Sequence, residues 1–208
     1  MNRKNLIIGA CVAFGTLLAL LLYLPGIRPA PTATRTVSGT VAVGGAFNLI
    51  DQHGTAVSDA DMKGRYTLVY FGFTNCPDIC PLTLQIMTQA LEIAGPLGDN
   101  VVPIFITVDP ERDTPEAMGD YVAHLHPRFL ALTGPAAAAK QAADAYRVFF
   151  RKAAAAEKAK GSETDYMMEH SGFVYFMGRD GAYIAHFGPQ TTAQDMAARI
   201  RQETSPTK

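Results

Sequence analysis

Two cysteines, Cys76 and Cys80, stand four positions apart in the segment FTNCPDICP, which ends at Pro81. The apolar run before it, residues 66–73, predicts a strand that is buried on both faces. Proline fits the first turn of a helix, so Pro81 predicts a helix that begins near Cys80. The partial positive charge at a helix N-terminus stabilises thiolates, the form of cysteine that binds metals and attacks disulfides. The pair therefore predicts a metal site or a redox site.

The spacing of the pair favours the metal site without excluding the redox site. Three residues separate the cysteines, whereas dithiol redox motifs have two. The wider loop lets both sulfurs meet one metal ion, although it does not forbid a disulfide. Two prolines, an aspartate and the position between strand and helix argue against an inert buried pair or a static disulfide. A peroxidase of the same fold would have a threonine two residues before its cysteine and a proline a few residues earlier. Thr74 provides the threonine, but residues 70–73 contain no proline, so this function is only weakly supported.

A histidine is the expected third ligand, because Cu(I) prefers soft thiolates and also accepts an imidazole. His170 precedes an apolar strand and follows a polar segment, residues 152–164, that is typical of a flexible insertion. His170 could therefore reach the cysteines, but the residues alone equally allow a surface histidine. Met167 and Met168 are soft donors too, and are more typical of core or loop positions. The other histidines are predicted in a turn, on a helix surface or in a hairpin: His53, His124, His126 and His186.

The elements that must position these residues alternate between strand and helix. Strands are predicted at residues 46–50, 66–73, 101–108, 129–132 and 147–151, and a hairpin at 172–177 and 182–187. Helices are predicted at residues 82–93, 115–125, 135–145 and 191–201, with Thr114 as the cap of the second. This order predicts an α/β sandwich with a mixed central sheet. A cysteine pair just after the first strand of a βαβ unit is the thioredoxin-like arrangement.

An uncharged apolar run at residues 6–24 predicts one N-terminal transmembrane helix. A cleaved signal peptide would have a shorter run and a small-residue cleavage site, and lipid attachment at Cys11 is disfavoured because the run continues past it. Arg3 and Lys4 favour a cytoplasmic N-terminus, and no transit peptide precedes the run. We therefore predict a cytoplasmic end at 1–5, an anchor at 6–24 in a bacterial inner membrane, a tether at 25–40 and a periplasmic thioredoxin-like copper-binding domain at 41–208.

The composition limits the remaining classes of function. The chain has 208 residues and a formal net charge of -1. This length suits one domain and an appendage, and the charge does not indicate a nucleic-acid partner. Three cysteines are too few for a disulfide framework.

Three segments, GFTNCPDICP, VDPERDTP and DYMMEHSGFVYFM, closely resemble the SCO/SenC family in their order and separation. The resemblance extends from about residue 45 to the last predicted helix. It implies a copper chaperone that binds copper through Cys76, Cys80 and His170 and serves the dinuclear copper site of cytochrome c oxidase subunit II. It also implies a thiol-disulfide role in which the redox pair reduces the target's cysteines. The alanine- and lysine-rich stretch before His170 departs in composition from the family's usual loop.

Several expectations remain open at this stage. Asp109 is expected at the carboxyl end of a central strand, as a residue that supports the ligands or as a simple turn acid, while Asp113 is expected to cap a helix. Copper is expected as Cu(I), with Cu(II) left open. The expected partners are the copper-binding subunit of cytochrome c oxidase and other periplasmic copper carriers or thiol reductants. The alternative function is a thiol-disulfide oxidoreductase that acts on periplasmic cysteines and does not need His170, so enzyme activity is left undecided.

Overall fold

The computed structural model describes residues 42–153 and 166–205. The predicted cytoplasmic end, membrane anchor and tether lie outside the described residues, as do Cys11 and most of the predicted flexible insertion. In the part of the chain that is described, no helix has the length and apolar character needed to cross a bilayer.

Nine strands are present in the described residues: β1 Asn48–Asp51, β2 Ala56–Ser58, β3 Tyr66–Gly72, β4 Val101–Thr107, β5 Leu130–Thr133, β6 Phe150–Lys152, β7 Met168–His170, β8 Val174–Met177 and β9 Tyr183–Phe187. Seven of them form one sheet in the order β2-β1-β5-β4-β3-β8-β9, and β6 pairs with β7 separately. Strands β3, β4 and β5 are parallel, and the other neighbouring pairs are antiparallel. Because β3 and β4 are central and covered on both faces, they consist almost entirely of buried apolar residues.

In the described ranges, four α-helices cover the sheet: α1 Ile79–Ala94, α2 Pro115–Val122, α3 Ala136–Ala145 and α4 Ala193–Thr204. Two short 3-10 helices, Asp59–Met62 and Gly95–Asn100, complete the described part. Successive side chains of a strand point to opposite faces of the sheet. Tyr70 therefore faces the side where α1 and α4 pack together, and Phe71 faces the side where Tyr146 and Tyr175 pack.

The predicted α/β order and the mixed central sheet are confirmed, and so is Thr114 as the cap of α2, where its hydroxyl accepts from the Ala117 amide. The sequence missed β2 and β7, and with β7 the pairing that forms the small β6–β7 sheet. The strand predicted at 147–151 begins too early, because Arg147 adopts φ 60 and ends α3 in a left-handed cap. The helix predicted to reach residue 125 ends at Val122, so His124 and His126 lie in the following turn instead of on the helix.

Candidate metal centre

The cysteine loop joins the carboxyl end of β3 to the first turn of α1. The helix begins at Ile79, which places Cys80 in its first turn and Cys76 in the preceding turn, as the proline pattern predicts. The Cys80 backbone amide points at the Cys76 sulfur, with 3.5 Å between nitrogen and sulfur. Both thiols are free, and only Cys76 retains some exposure, at 8% against 0% for Cys80. Both cysteines are therefore buried, and Cys76 is the less deeply buried of the two.

His170 meets this pair from a distant part of the chain. Its Nε2 lies 3.5 Å from the Cys80 Sγ. Its Nδ1 lies 3.1 Å from the Ser171 carbonyl oxygen, which can only accept a hydrogen bond, so Nδ1 carries the proton. Burial lowers the pKa of His170, which keeps the imidazole neutral near pH 7. The lone pair of Nε2 is therefore available on the side that faces the sulfur.

The β6–β7 sheet fixes the position of this histidine. Phe150 is the strand partner of His170. Beside that pair, the Ser171 amide donates to the Phe149 carbonyl at 2.9 Å, and the Phe149 amide donates to the Ser171 hydroxyl at 3.1 Å. The histidine thus lies in a hydrogen-bonded strand, although the sequence predicted only a strand edge behind an insertion.

The sequence predicted that the helix N-terminus would lower the pKa of both thiols, and this prediction is wrong for Cys80. Hydrogen bonds from the Phe73 backbone and the Tyr70 hydroxyl lower its pKa, but burial raises it more, to about 12. The sequence indicated the helix N-terminus but gave no indication that this sulfur is sealed from water, and desolvation disfavours the charged form. Without a metal, Cys80 is a neutral thiol at pH 7 and must lose a proton when a metal binds.

Asp109 lies just beyond the end of β4, as predicted, and is almost fully buried. Its carboxylate pairs with Arg112 Nε at 2.5 Å and accepts a hydrogen bond from the Tyr166 hydroxyl at 2.6 Å. The Arg112 guanidinium lies 3.8 Å from the centre of the Tyr166 ring and 5.9 Å from that of Phe73. Phe73 in turn meets the His170 ring edge-on. A chain of packed side chains therefore links Asp109 to His170.

The sequence led us to expect Asp113 to cap a helix, but Thr114 caps α2 instead. The buried carboxylate of Asp113 accepts hydrogen bonds from the Thr74 hydroxyl at 2.5 Å, the Thr74 amide at 3.2 Å and the Thr107 hydroxyl at 2.5 Å. Burial raises the pKa of Asp113, and these bonds counteract the rise. Asp113 thereby ties the loop before Cys76 to the end of β4, a role that nothing in the sequence pattern indicated.

The remaining candidate ligands lie elsewhere. His53 and His124 lie in turns, and the His126 ring accepts a hydrogen bond from the Arg128 amide. His186 lies on β9 and contacts Phe173 and Tyr183. Met168 pairs with Lys152 across the small sheet, and Met167 is exposed.

Cys80 contacts both other predicted ligands, Cys76 through its backbone amide and His170 through its sulfur, without the three being arranged as a finished coordination shell. Within the described ranges, no three histidine, cysteine or acidic side chains form a ready-made metal-binding group. The donors that the structure brings together, two sulfurs and one neutral imidazole, are soft. Such a set fits Cu(I) and is unsuited to hard cations such as Mg²⁺ or Ca²⁺.

The chain is similar to known proteins over most of its length. The SCO1/SenC family model matches residues 35–205. An SCO2-like protein of Rickettsia conorii is 35% identical over 198 residues, which is 95% of each chain. The copper-bound structure of Bradyrhizobium japonicum ScoI is 38% identical with a TM-score of 0.70, covering 78% of this chain and 99% of that one. Copper-bound yeast Sco1 is 32% identical with a TM-score of 0.71, covering 80% and 91%.

Proposed function

The chain belongs to the SCO1/SenC family, and on that premise we propose that it is a copper chaperone whose ligands are Cys76, Cys80 and His170. The observation that carries this proposal is the 3.5 Å contact between Cys80 Sγ and His170 Nε2, two residues that are 90 positions apart in the sequence. A redox cysteine pair does not need an imidazole held against its buried sulfur, whereas a three-coordinate copper site does. The copper bound to two similar structures supports the same assignment.

Each ligand has a distinct part in this proposal. His170 offers a neutral Nε2 whose orientation is fixed by the Ser171 carbonyl. Cys80 is completely buried and acts as the inner anchor, while Cys76, at 8% exposure, lies nearer to the surface and is the ligand that an incoming partner would meet first. Copper is cargo here, so it leaves by ligand exchange that begins at Cys76. An accessible outer ligand lets an incoming thiolate or imidazole bind before the inner ones release.

The destination and the cellular setting belong to the same proposal. The cargo is delivered to the copper-binding subunit of cytochrome c oxidase, with periplasmic copper carriers or thiol reductants as further partners. Residues 6–24 anchor the chain in a bacterial inner membrane, and the domain from residue 41 onward faces the periplasm. A reporter enzyme that is active only in the periplasm, fused after residue 208, should be active in intact cells. Activity only of a cytoplasmic reporter at that position would contradict this orientation.

Thiol-disulfide exchange is the second candidate function, and the unequal exposure of the two cysteines favours it. The less deeply buried Cys76 can attack a partner's disulfide, and the completely buried Cys80 can then resolve the mixed disulfide. Copper binding and a disulfide between the two cysteines exclude each other, because both need the same sulfurs. We therefore expect the oxidised protein to bind no Cu(I), and stoichiometric binding to the disulfide form in dialysis against a chelator would contradict this.

The deciding experiment measures copper bound per chain. The full chain, reduced and in detergent, is loaded with Cu(I) without oxygen and titrated with a competing chelator. We expect one copper per chain in the wild type and in the control His53→Ala, whose histidine is exposed in a turn. His170→Ala should weaken binding at least tenfold, or about 1.4 kcal/mol, because a ligand is lost. If the wild type retains no copper, or if His170→Ala binds copper as tightly as the wild type, the result would favour the thiol-disulfide function instead.

A further inference from the structure

The Tyr70 hydroxyl lies against the buried sulfur of Cys80, and the function proposed above gives it no role. Tyr70 Oη donates to Cys80 Sγ across 3.6 Å, and both residues have 0% exposure. The Tyr70 ring stacks on Phe105 and meets the edge of His170. The ring, the sulfur and the histidine therefore share one enclosed space.

The neighbouring backbone holds this contact in place. At Gly72, a Cβ atom would lie 2.8 Å from Cys80 Sγ and 3.0 Å from Tyr70 Cε1. The absence of a side chain there lets the tyrosine ring and the sulfur approach the strand together. Burial raises the pKa of Tyr70, so the phenol keeps its proton and presents the positive end of its O–H dipole to the sulfur.

The charge of the loaded site depends on the oxidation state of the copper. Two thiolates and a neutral imidazole give a net charge of about −1 with Cu(I) and about zero with Cu(II), since each thiolate contributes one negative charge. A fixed O–H donor stabilises the more negative state more strongly, which is how hydrogen bonds to sulfur raise the reduction potential of metal–thiolate centres. Because Cys80 is sealed from water, solvent does not screen this difference.

We propose that the Tyr70 hydroxyl selects the oxidation state of the bound copper, by stabilising the Cu(I) form over the Cu(II) form through its hydrogen bond to Cys80. The inference rests on the proposed function and adds a positioning and selectivity residue to the same site. Tyr70 makes no bond to the metal in this arrangement and acts only through the sulfur of Cys80.

The test replaces the hydroxyl and leaves the ring. Tyr70→Phe is compared with the wild type and with Tyr146→Phe, which makes the same chemical change on the opposite face of the sheet beside Phe71. Chelator competition gives the affinities for Cu(I) and Cu(II), and a redox titration gives the midpoint. The hydrogen bond is stronger to the site of net charge −1 than to the neutral site, so its loss should lower the ratio of Cu(I) to Cu(II) affinity, by about threefold to tenfold. That change corresponds to a midpoint lower by about 30–60 mV.

A spectroscopic signal separates this effect from a general loss of structure. A thiolate without its hydrogen bond is a stronger donor, so the sulfur-to-Cu(II) charge-transfer band of Tyr70→Phe should move to lower energy. Tyr146→Phe should leave the band and the affinity ratio unchanged. Replacing Tyr70 with 3-fluorotyrosine makes the hydroxyl a stronger hydrogen-bond donor, so the ratio of Cu(I) to Cu(II) affinity should rise. This second replacement keeps the inference testable even if Tyr70→Phe does not fold.

Two different failures can be told apart. An unchanged ratio and band in Tyr70→Phe or in the fluorinated protein, with a wild type that binds copper, would overturn this inference alone. Equal losses of Cu(I) and Cu(II) affinity would overturn it as well, because they indicate a purely structural role. A wild type that retains no copper would overturn the proposed function, and the inference with it.

Discussion

The substitution Gly72→Ala would place a methyl group too close to the Cys80 sulfur. The new Cβ would lie 2.8 Å from Cys80 Sγ and 3.0 Å from both Phe105 Cε2 and Tyr70 Cε1. Ordinary contacts begin at 3.4 Å, so the sulfur would have to retreat by about 0.6 Å. All three neighbours are fully buried, which leaves no free space for them to move into.

The structure sets the size of the expected effect of Gly72→Ala. Overpacking a core costs about 1–3 kcal/mol, and the lower entropy of the unfolded alanine chain offsets about 0.4–1 kcal/mol of that. We therefore expect the free energy of unfolding, from urea titration of the reduced protein, to fall by about 1–2 kcal/mol. Cu(I) binding should weaken at least tenfold in chelator competition, about 1.4 kcal/mol, because the displaced sulfur no longer meets His170 as before.

Gly119→Ala is the matched control for this change. A Cβ there meets only Gln52, at 3.4 Å, and the residue lies inside α2, where alanine is the better helix former. The control should be neutral or more stable, with unchanged copper affinity. Wild-type stability and copper affinity in Gly72→Ala would refute the reasoning that residue 72 confines the sulfur.

Two further predictions concern the loop that holds His170 and the buried thiol. Tyr166→Phe removes the 2.6 Å hydrogen bond to Asp109 but keeps the ring under Arg112, so Cu(I) affinity should fall about threefold to tenfold. The loss should vanish in a His170→Ala background, as a double-mutant cycle would show, and equal losses in both backgrounds would contradict a role through His170. The raised pKa of Cys80, about 12 against 9.0 when unperturbed, means that the unfolded chain loses this proton first as pH rises. The thiol's contribution to stability is therefore complete below pH 9 and is lost above it, so this thiol should cost the reduced, copper-free protein up to about 1.4 kcal/mol per pH unit above about pH 9. Tyrosines of the unfolded chain begin to ionise in the same range, so the part of the slope that belongs to Cys80 is the difference from a variant without this thiol. Urea unfolding at a series of pH values measures this slope, and the same slope in Cys80→Ser would count against the assignment.

The main elements of the fold were predictable because their signals are local. A buried strand such as β3 is a continuous apolar run, and Pro81 fixes the start of α1 from its own geometry. The short elements were missed for a related reason. Strands of three residues, such as β2 and β7, are too short to show a period, and they exist because they pair with β1 and β6.

The surroundings of the site depend on contacts between distant segments. Tyr70 is a core aromatic in the sequence, and only the packing of α1 on β3 brings its hydroxyl to Cys80. Asp113 sits where a helix cap is expected, and only the fold shows that it holds Thr74 and Thr107. The pKa of Cys80 was expected in the wrong direction because sequence shows the nearby helix terminus but not the exclusion of water.

The sequence by itself determined the two thiols, the helix that starts between them and the family to which the chain belongs, because proline geometry and motif order are properties of neighbouring residues. The tertiary structure alone decided that His170 reaches Cys80, that Tyr70 donates to the same sulfur, and that Cys80 is completely buried while Cys76 keeps 8% exposure. These are distances between segments far apart in the chain, and they arise only when the sheet and its helices exclude water from the space between them.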